Sequence, residues 1–273
     1  VSAALASELE KFRQEPDDAR AFGALEEQLF VAAQWRLLAD LYHARLGAPS
    51  VVDSPRERAR VFVRLGRVFG EHLADAERAE SCFRSALAAE PRHRPALAGL
   101  RGLATGRERF DVALQIAELE LSLEMPAEER ATLLCDVGNV WLQRLGDAEL
   151  ALRHFGEALE ARRDHRGALA GSARALEALG RAAEAAAAWE RAAAVLRGPA
   201  RAEAMAAQAR LLARSLGDPE RATELCRRAL SEDPRRADAL ELLASLVAAA
   251  GQWTLVADLL ERRFEIEADP ALR

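Results

Sequence analysis

Strand-forming side chains are scarce in this chain. Isoleucine occurs twice, at Ile116 and Ile266, tyrosine once, at Tyr42, and aromatic residues make up 5% of the sequence. β-Branched and aromatic side chains are the ones that suit a pleated, half-buried surface, so their rarity argues against an extended β-sheet. Long apolar runs are missing too. The best candidates, 182–189 and 242–251, fall well short of the ~20 residues that span a bilayer, so no membrane insertion is expected. The first residues, VSAALASELEKF, have no basic start, apolar core or cleavage site of a secretory signal and are expected to begin inside folded structure. Cysteine is confined to Cys82, Cys135 and Cys226. Three such widely spaced thiols fit neither a disulfide framework nor a metal site, which points to a reducing, cytoplasmic setting.

Catalytic signatures are equally absent. There is no GxGxxG, GxxxxGK, GxSxG or HExxH, so nothing cradles a phosphate or arms a nucleophile, and neither cofactor nor metal is expected. His154 and His165 lie eleven residues apart with no Cys, Asp or Glu arranged around them as ligands, and are expected on the surface of one hairpin. The three cysteines fall on packing positions and read as small hydrophobes. The chain is read as a non-enzyme.

What is abundant is Ala, Leu, Arg and Glu, with Lys11 the only lysine. These are strong helix formers, and the arginine-for-lysine and alanine bias resembles GC-rich bacterial coding. Thirty-eight basic residues stand against 44 acidic ones in 273 positions, a formal charge of -6. That mild acidity argues against a protein built to hold nucleic-acid phosphates.

The strongest signal is internal repetition. Pro55, Pro126, Pro199 and Pro270 recur at intervals of 71, 73 and 71 residues, and Asp75, Asp147 and Asp218 keep the same beat in HLADAERA, RLGDAELA and SLGDPERA. AQWRLLADLYHAR and GQWTLVADLLERR lie 218 residues apart, from Trp35 to Trp253, which is three periods. Each period divides into two helix pairs, with Pro at helix starts and Gly or Gly-Asp at helix ends. The units are placed near 16–49, 55–91, 92–124, 126–163, 164–198, 199–234 and 235–268, with a half unit at 1–14 and the opening of another in DPALR at 269–273. About fifteen helices follow, the long first helices spanning 55–72, 126–145 and 200–216. Superposing these three predicts shared core columns: Phe62, Leu134 and Met205; Val68, Val140 and Leu211; and Phe69, Trp141 and Leu212. Gly66, Gly138 and Ala209 then mark a close helix approach. A hairpin cannot bury its own apolar stripe, but a column of hairpins buries each against the next.

One unit carries Phe62, Leu65-Gly66, Phe69, Ala79, Phe83, Ala86 and Pro91; another Leu134, Val137-Gly138, Trp141, Ala151, Phe155 and Ala158; a third Ala209, Leu212, Ala222, Cys226, Ala229 and Pro234. This pattern resembles the tetratricopeptide repeat family, although the long units hold one residue more than the family pattern between first helix and turn. The resemblance implies an all-α fold, a single right-handed α-solenoid over 1–273 built of stacked antiparallel helix hairpins. It also implies that the first helices line a concave groove for a partner protein.

On those helices Arg60, Arg64, Arg67 and Glu71 follow i, i+4, i+7 and i+11 along one face. Their equivalents are Thr132, Asp136, Asn139 and Gln143, then Glu203, Ala207, Arg210 and Arg214. The polar members of these columns are the candidate partner-binding residues, set against the simpler reading of a solvated helix side. Arg60, Arg64 and Arg67 stand out because three guanidiniums on adjacent turns repel unless an anion is near, so an acidic partner segment is favoured there. The set by which some family members grip a terminal carboxylate is absent, the matching places holding Val63, Arg67 and Ala170. A one-base-per-repeat RNA reader would need polar side chains at the same one or two positions of every unit, whereas the equivalent positions here include Arg64, Asp136 and Ala207 and the chain is acidic. Glu118, Glu120, Glu124, Glu128 and Glu129 form an acidic run with only Arg130 opposing; solvation is favoured over a basic partner. Trp35 and Trp253 are expected to pack between units.

The function expected is a non-catalytic scaffold for protein–protein interaction. A regulatory or docking segment of a larger enzyme or signalling protein is the alternative, and self-association through uncapped ends the third reading.

Overall fold

The computed structural model describes residues 2–268, and the expected opening of a further unit at 269–273 lies outside them. Among the described residues there are sixteen α-helices and no strand. The chain separates into two compact units, one ending at Glu124 and the other starting at Met125.

In the first unit α1 (Ser2–Gln14) packs on the hairpin of α2 (Ala19–Val31) and α3 (Trp35–Leu46). The pairs α5 (Pro55–Arg67) with α6 (Ala76–Ala89) and α7 (Arg94–Gly106) with α8 (Phe110–Leu121) continue the stack. The second unit stacks α9 (Ala127–Val140) with α10 (Ala148–Ala161), α11 (Arg166–Ala178) with α12 (Ala182–Val195), α13 (Gly198–Arg214) with α14 (Pro219–Glu232), and α15 (Ala237–Ala249) with α16 (Trp253–Ala268). Within each unit the second helix of one pair packs on the first helix of the next. Each is therefore an α-solenoid, with a hydrophobic cluster over Leu5–Ala96 in the first unit and over Leu169–Leu259 in the second.

Local chemistry sets the ends. Asp75, Asp147 and Asp218 each accept a hydrogen bond from the backbone N–H three residues on, capping α6, α10 and α14. Such a cap satisfies one of the orphan donors of a helix start. The sequence missed α4 (Pro49–Val52), a four-residue helix in the connection before α5. Pro49 starts it, and Val51 is buried against the first unit.

The extra residue of the long units has a structural form. After α5 the chain makes a π-helical turn over Val68–His72, and after α9 another over Trp141–Leu145. The N–H of Leu73 donates to the Val68 carbonyl, and in the third copy Leu216 donates to Leu211 in the same i to i−5 pattern. Asp75, Asp147 and Asp218 then donate their N–H to Phe69, Trp141 and Leu212 at 2.8, 2.9 and 2.9 Å. The residue before each cap takes a positive φ: Ala74 at 53°, Gly146 at 73° and Gly217 at 68°.

Packing follows the expected columns with three departures. Leu134, Met205, Val68, Leu211, Phe69 and Leu212 are buried, while Phe62, Val140 and Trp141 stay half-exposed. The Arg58 guanidinium lies 5.9 Å from the Phe62 ring centroid, on the side the core leaves open. The close-approach slot is tighter than a single glycine. A Cβ on Gly66 would lie 2.8 Å from the Phe83 ring, and one on Gly99 2.5 Å from the same ring. Phe155 is held likewise between Gly138 and Gly171, at 2.7 and 2.4 Å. Each phenylalanine thus sits between a glycine of its own hairpin and one of the next. In the third copy Cys226 takes the phenylalanine's place and Ala209 the glycine's, a smaller side chain opposite a larger one.

Trp35 packs as expected, stacked on His72 at 3.6 Å with Phe30 edge-on at 5.3 Å. Trp253 does not: it is 69% exposed. Trp35 rests on a histidine supplied by the following hairpin, and no hairpin follows α16 among the described residues.

Candidate functional site

The face that distinguishes the first unit is built on α5. Ser54 caps its start, with Oγ accepting from the Glu57 N–H, and Pro55 occupies the first turn. Ala59, Val61, Val63, Leu65 and Gly66 are buried, because α3, α6 and α7 all pack on this helix. Arg56, Arg60, Arg64 and Arg67 are exposed and follow one strip of the helix. Across from it the chain turns from Glu90 into α7, presenting Arg92, His93 and Arg94.

Together these residues line a cavity of about 500 Å3 with six guanidiniums and one carboxylate on its wall. Arg60 pairs with Glu57 on its own helix. Arg64 reaches Glu26 of α2, with Nη1 3.0 and 3.1 Å from its two carboxylate oxygens. Glu26 also accepts from the Tyr42 hydroxyl at 2.6 Å; burial and this carboxylate push the Tyr42 phenol well above its ordinary range. Glu90 is engaged by His93 Nδ1 at 2.8 Å. The mutual repulsion inferred from sequence is thus partly offset from within. Arg56, Arg67 and Arg92 have no counter-ion among the described residues.

A second cavity, of about 420 Å3, adjoins the first and shares Arg64 and Arg67 with it. Its character is apolar at one end, where Phe30 and Val31 are 57% and 80% exposed, with Leu38, Tyr42 and Val68 behind them. Glu26, Glu27, Glu71 and His72 also line it, with the His72 ring edge-on to Phe30 at 6.4 Å.

The equivalent strips of the second unit are different. Thr132 Oγ1 donates to the Glu128 carbonyl at 2.9 Å and lies 3.5 Å from His165 Nε2. Asn139 Nδ2 turns to Cys135 Sγ at 3.8 Å. Asp136 and Gln143 are exposed. Glu203 is held by Arg174 at 2.8 Å and approached by Arg236 at 3.8 Å, and Arg210 by Glu177 at 2.9 Å; Ala207 is buried and Arg214 exposed. Glu203 and Arg210 therefore tie α13 to neighbouring first helices. Exposed pairs of this kind contribute about 0–1 kcal/mol each.

Three other expectations are corrected. His165 is not a free surface residue: its Nδ1 accepts from the Ala168 N–H at 3.2 Å and caps α11. Burial, helped by Arg162, lowers its pKa below the ordinary histidine value. His154 is half-buried beside Glu157. The acidic run is not simply solvated, since Glu120 is 5% exposed and accepts from Arg101 Nε at 2.8 Å, and Glu128 pairs with Arg162.

Burial pushes the Cys82 and Cys135 thiols up to about 11 and Cys226 to about 12, far from the thiolate that a nucleophile needs. Among the described residues no three His, Cys, Asp or Glu side chains group to hold a metal ion, and no helix is long and apolar enough to cross a membrane.

Comparison with known proteins agrees with this architecture. No family model and no curated protein sequence matches the chain. Solved structures do. The C-terminal part of a tetratricopeptide-repeat protein from Cytophaga hutchinsonii superposes with a TM-score of 0.69 at 14% identity, covering 89% of this chain and 94% of that one. Pseudomonas aeruginosa PilF gives 0.59 at 19% identity, covering 85% and 99%. YrrB, described as a tetratricopeptide-repeat protein with an unusual peptide-binding site, gives 0.57 at 20% identity, covering 74% and 97%. The fold is that of the tetratricopeptide repeats.

Proposed function

We propose that this chain is a non-catalytic protein-interaction scaffold whose first unit binds an acidic segment of a partner along α5. One observation carries the reading: a cavity lined by six arginines, three of them without a counter-ion among the described residues, shares Arg64 and Arg67 with a second cavity lined by exposed Phe30 and Val31. Guanidiniums bind carboxylates through charge-assisted, often bidentate hydrogen bonds, and an adjoining apolar pocket adds the buried anchor on which affinity depends. That another repeat protein of this fold, YrrB, has a peptide-binding site supports a peptide as the ligand class.

The geometry sets the spacing of the motif. Arg56 and Val68 are twelve residues apart on the helix, about 18 Å at ~1.5 Å per residue. An extended chain covers that in about five residues at ~3.3 Å each. The ligand is therefore a short segment with aspartate or glutamate at one end and a leucine- or phenylalanine-sized side chain about five residues away.

Fluorescence anisotropy with such a labelled peptide, beside a copy with its acidic residues replaced by lysine, tests the proposal. The acidic peptide should bind, weaken as salt is raised, and lose about tenfold or more with Arg67→Glu, which corresponds to about 1.4 kcal/mol. Equal binding of the acidic and basic peptides, or an unchanged affinity in a normally helical Arg67→Glu protein, would sink it.

A further inference from the structure

A different cavity, of about 290 Å3, lies in the second unit between α12, α13 and α14. Ala193, Ala194, Met205 and Leu225 form its apolar walls. Two polar groups lining it are left over. Gln208 is 5% exposed and forms no hydrogen bond among the described residues. Arg201 donates from Nη1 to Glu232 at 3.0 Å, but its buried Nε–H meets no acceptor. A buried group left unpaired costs about 1–3 kcal/mol, which applies to the Arg201 Nε–H; the Gln208 amide, without a protein partner, faces the same cavity.

This cavity is separate from the strip of candidate residues on the same helix. Arg201, Met205 and Gln208 share one face at i, i+4 and i+7, whereas Glu203, Arg210 and Arg214 fall on the opposite side of α13 at ~100° per residue.

Charge and hydrogen-bonding capacity then select the occupant. Arg201, Arg221 and Arg228 line the cavity together with Glu190 and Glu224, and Glu232 and Asp218 already engage Arg201 and Arg221. Four carboxylates against three guanidiniums draw in no anion, and Arg201 repels a cation. The complement of an unpaired primary amide is another primary amide, which accepts from Nε2 and donates to Oε1 in one step. Arg201 and Gln208 are two helical turns apart, about 10 Å, so Arg201 needs a further acceptor, which the main chain of a polypeptide ligand supplies. Methylene groups suit Met205 and Leu225. We propose that this cavity is a second binding site, reading the carboxamide of a glutamine side chain in a partner polypeptide.

The test is a titration of the full chain, nitrogen-15 labelled, with the blocked peptide acetyl-Ala-Gln-Ala-amide, following the Gln208 side-chain amide and Arg201 Nε–H resonances. Both should shift saturably. The Arg201 Nε–H shift should vanish in Gln208→Met, and both shifts in Ala194→Leu, where an exposed wall residue narrows the cavity and leaves the amide in place. They should persist in Arg67→Glu, so the outcome is independent of the α5 site. The same peptide with glutamate in place of glutamine should shift neither signal. Free glutamine at equal concentration should do no better than the blocked peptide; a tighter fit to the free amino acid would replace the polypeptide with a metabolite and overturn the assignment. It is also overturned if the glutamate peptide binds as tightly, or if neither resonance moves up to the solubility of the probe, which leaves the cavity to water.

Discussion

Replacing Gly99 with alanine should destabilise the first unit, although alanine is the better helix former. The new Cβ would stand 2.5, 2.6 and 2.8 Å from three carbons of the Phe83 ring, where carbon pairs normally rest at about 3.5–4.0 Å. The ring would have to withdraw by about 1 Å, and Gly66 closes the other side, its own Cβ position being 2.8 Å from the same ring. Overpacking of a core of this kind costs about 1–3 kcal/mol, while exchanging a mid-helix glycine for alanine returns about 0.8–1.0. The net loss is about 1 kcal/mol. Gly102 on the same helix has nothing within 4 Å of its Cβ position, so Gly102→Ala should gain about 0.8 kcal/mol. The two single-methyl variants should therefore differ by about 2 kcal/mol in opposite directions. Urea unfolding followed by circular dichroism measures this: with a slope of about 1–3 kcal/mol per molar for a unit of this size, the midpoints should separate by roughly 1 M. Adding Phe83→Leu to Gly99→Ala should cost less than the two changes separately, by about 0.5 kcal/mol or more, because the smaller side chain leaves room for the methyl as Cys226 does opposite Ala209. If Gly99→Ala proves as stable as Gly102→Ala, the ring is not clamped and the argument fails.

Two further outcomes follow from the turns and caps. Ala74 adopts the positive φ that its counterparts reserve for glycine; that conformation costs an alanine about 1–2 kcal/mol, glycine's greater unfolded freedom takes back about 0.4–1, and Ala74→Gly should raise stability by about 0.5–1 kcal/mol in the same urea assay while Gly146→Ala lowers it. His165 caps α11 only while Nδ1 is unprotonated, and its pKa in the fold lies below the ordinary value of 6.5. Its contribution is therefore complete above pH ~6.5 and disappears as the pH falls through the lowered value. Hydrogen exchange at the Ala168 amide should accelerate over that acid range and become independent of pH-linked cap loss in His165→Asn, which caps without titrating; an unchanged acid dependence in that variant would refute the cap.

Much of this molecule can be read in advance because its information is local. Proline at helix starts, Asp at the caps of α6, α10 and α14, and glycine before the last two of these all act within a few residues, so the helix pairs and their 72-residue beat are visible in one pass. Gly66 and Gly138 were visible for the same reason. Gly99 and Gly171 stand outside the superposed helices, although PALAGL and GALAGS carry them 33 residues after the first pair. What sequence hides is the partner across a hairpin. Arg64 looks like one of three uncompensated charges until Glu26, 38 positions earlier, turns out to hold it, and Glu203 and Arg210 look like ligand contacts until Arg174 and Glu177 claim them. Gln208 reads as an ordinary polar residue, and only the packing of α12 and α14 around it leaves the residue 5% exposed and lining a cavity.

The π-helical turns after α5 and α9 bear on how such a chain can change its length. An insertion within an α-helix turns every later side chain by about 100° and advances it by about 1.5 Å, which would scramble the face offered to the next hairpin. Widening the final turn lodges the surplus residue where only the capping aspartate follows, and the same N–H of Asp75, Asp147 or Asp218 closes the loop each time. Copies of the double repeat can thus be duplicated, or gain a residue at this one place, without their neighbours having to be refitted.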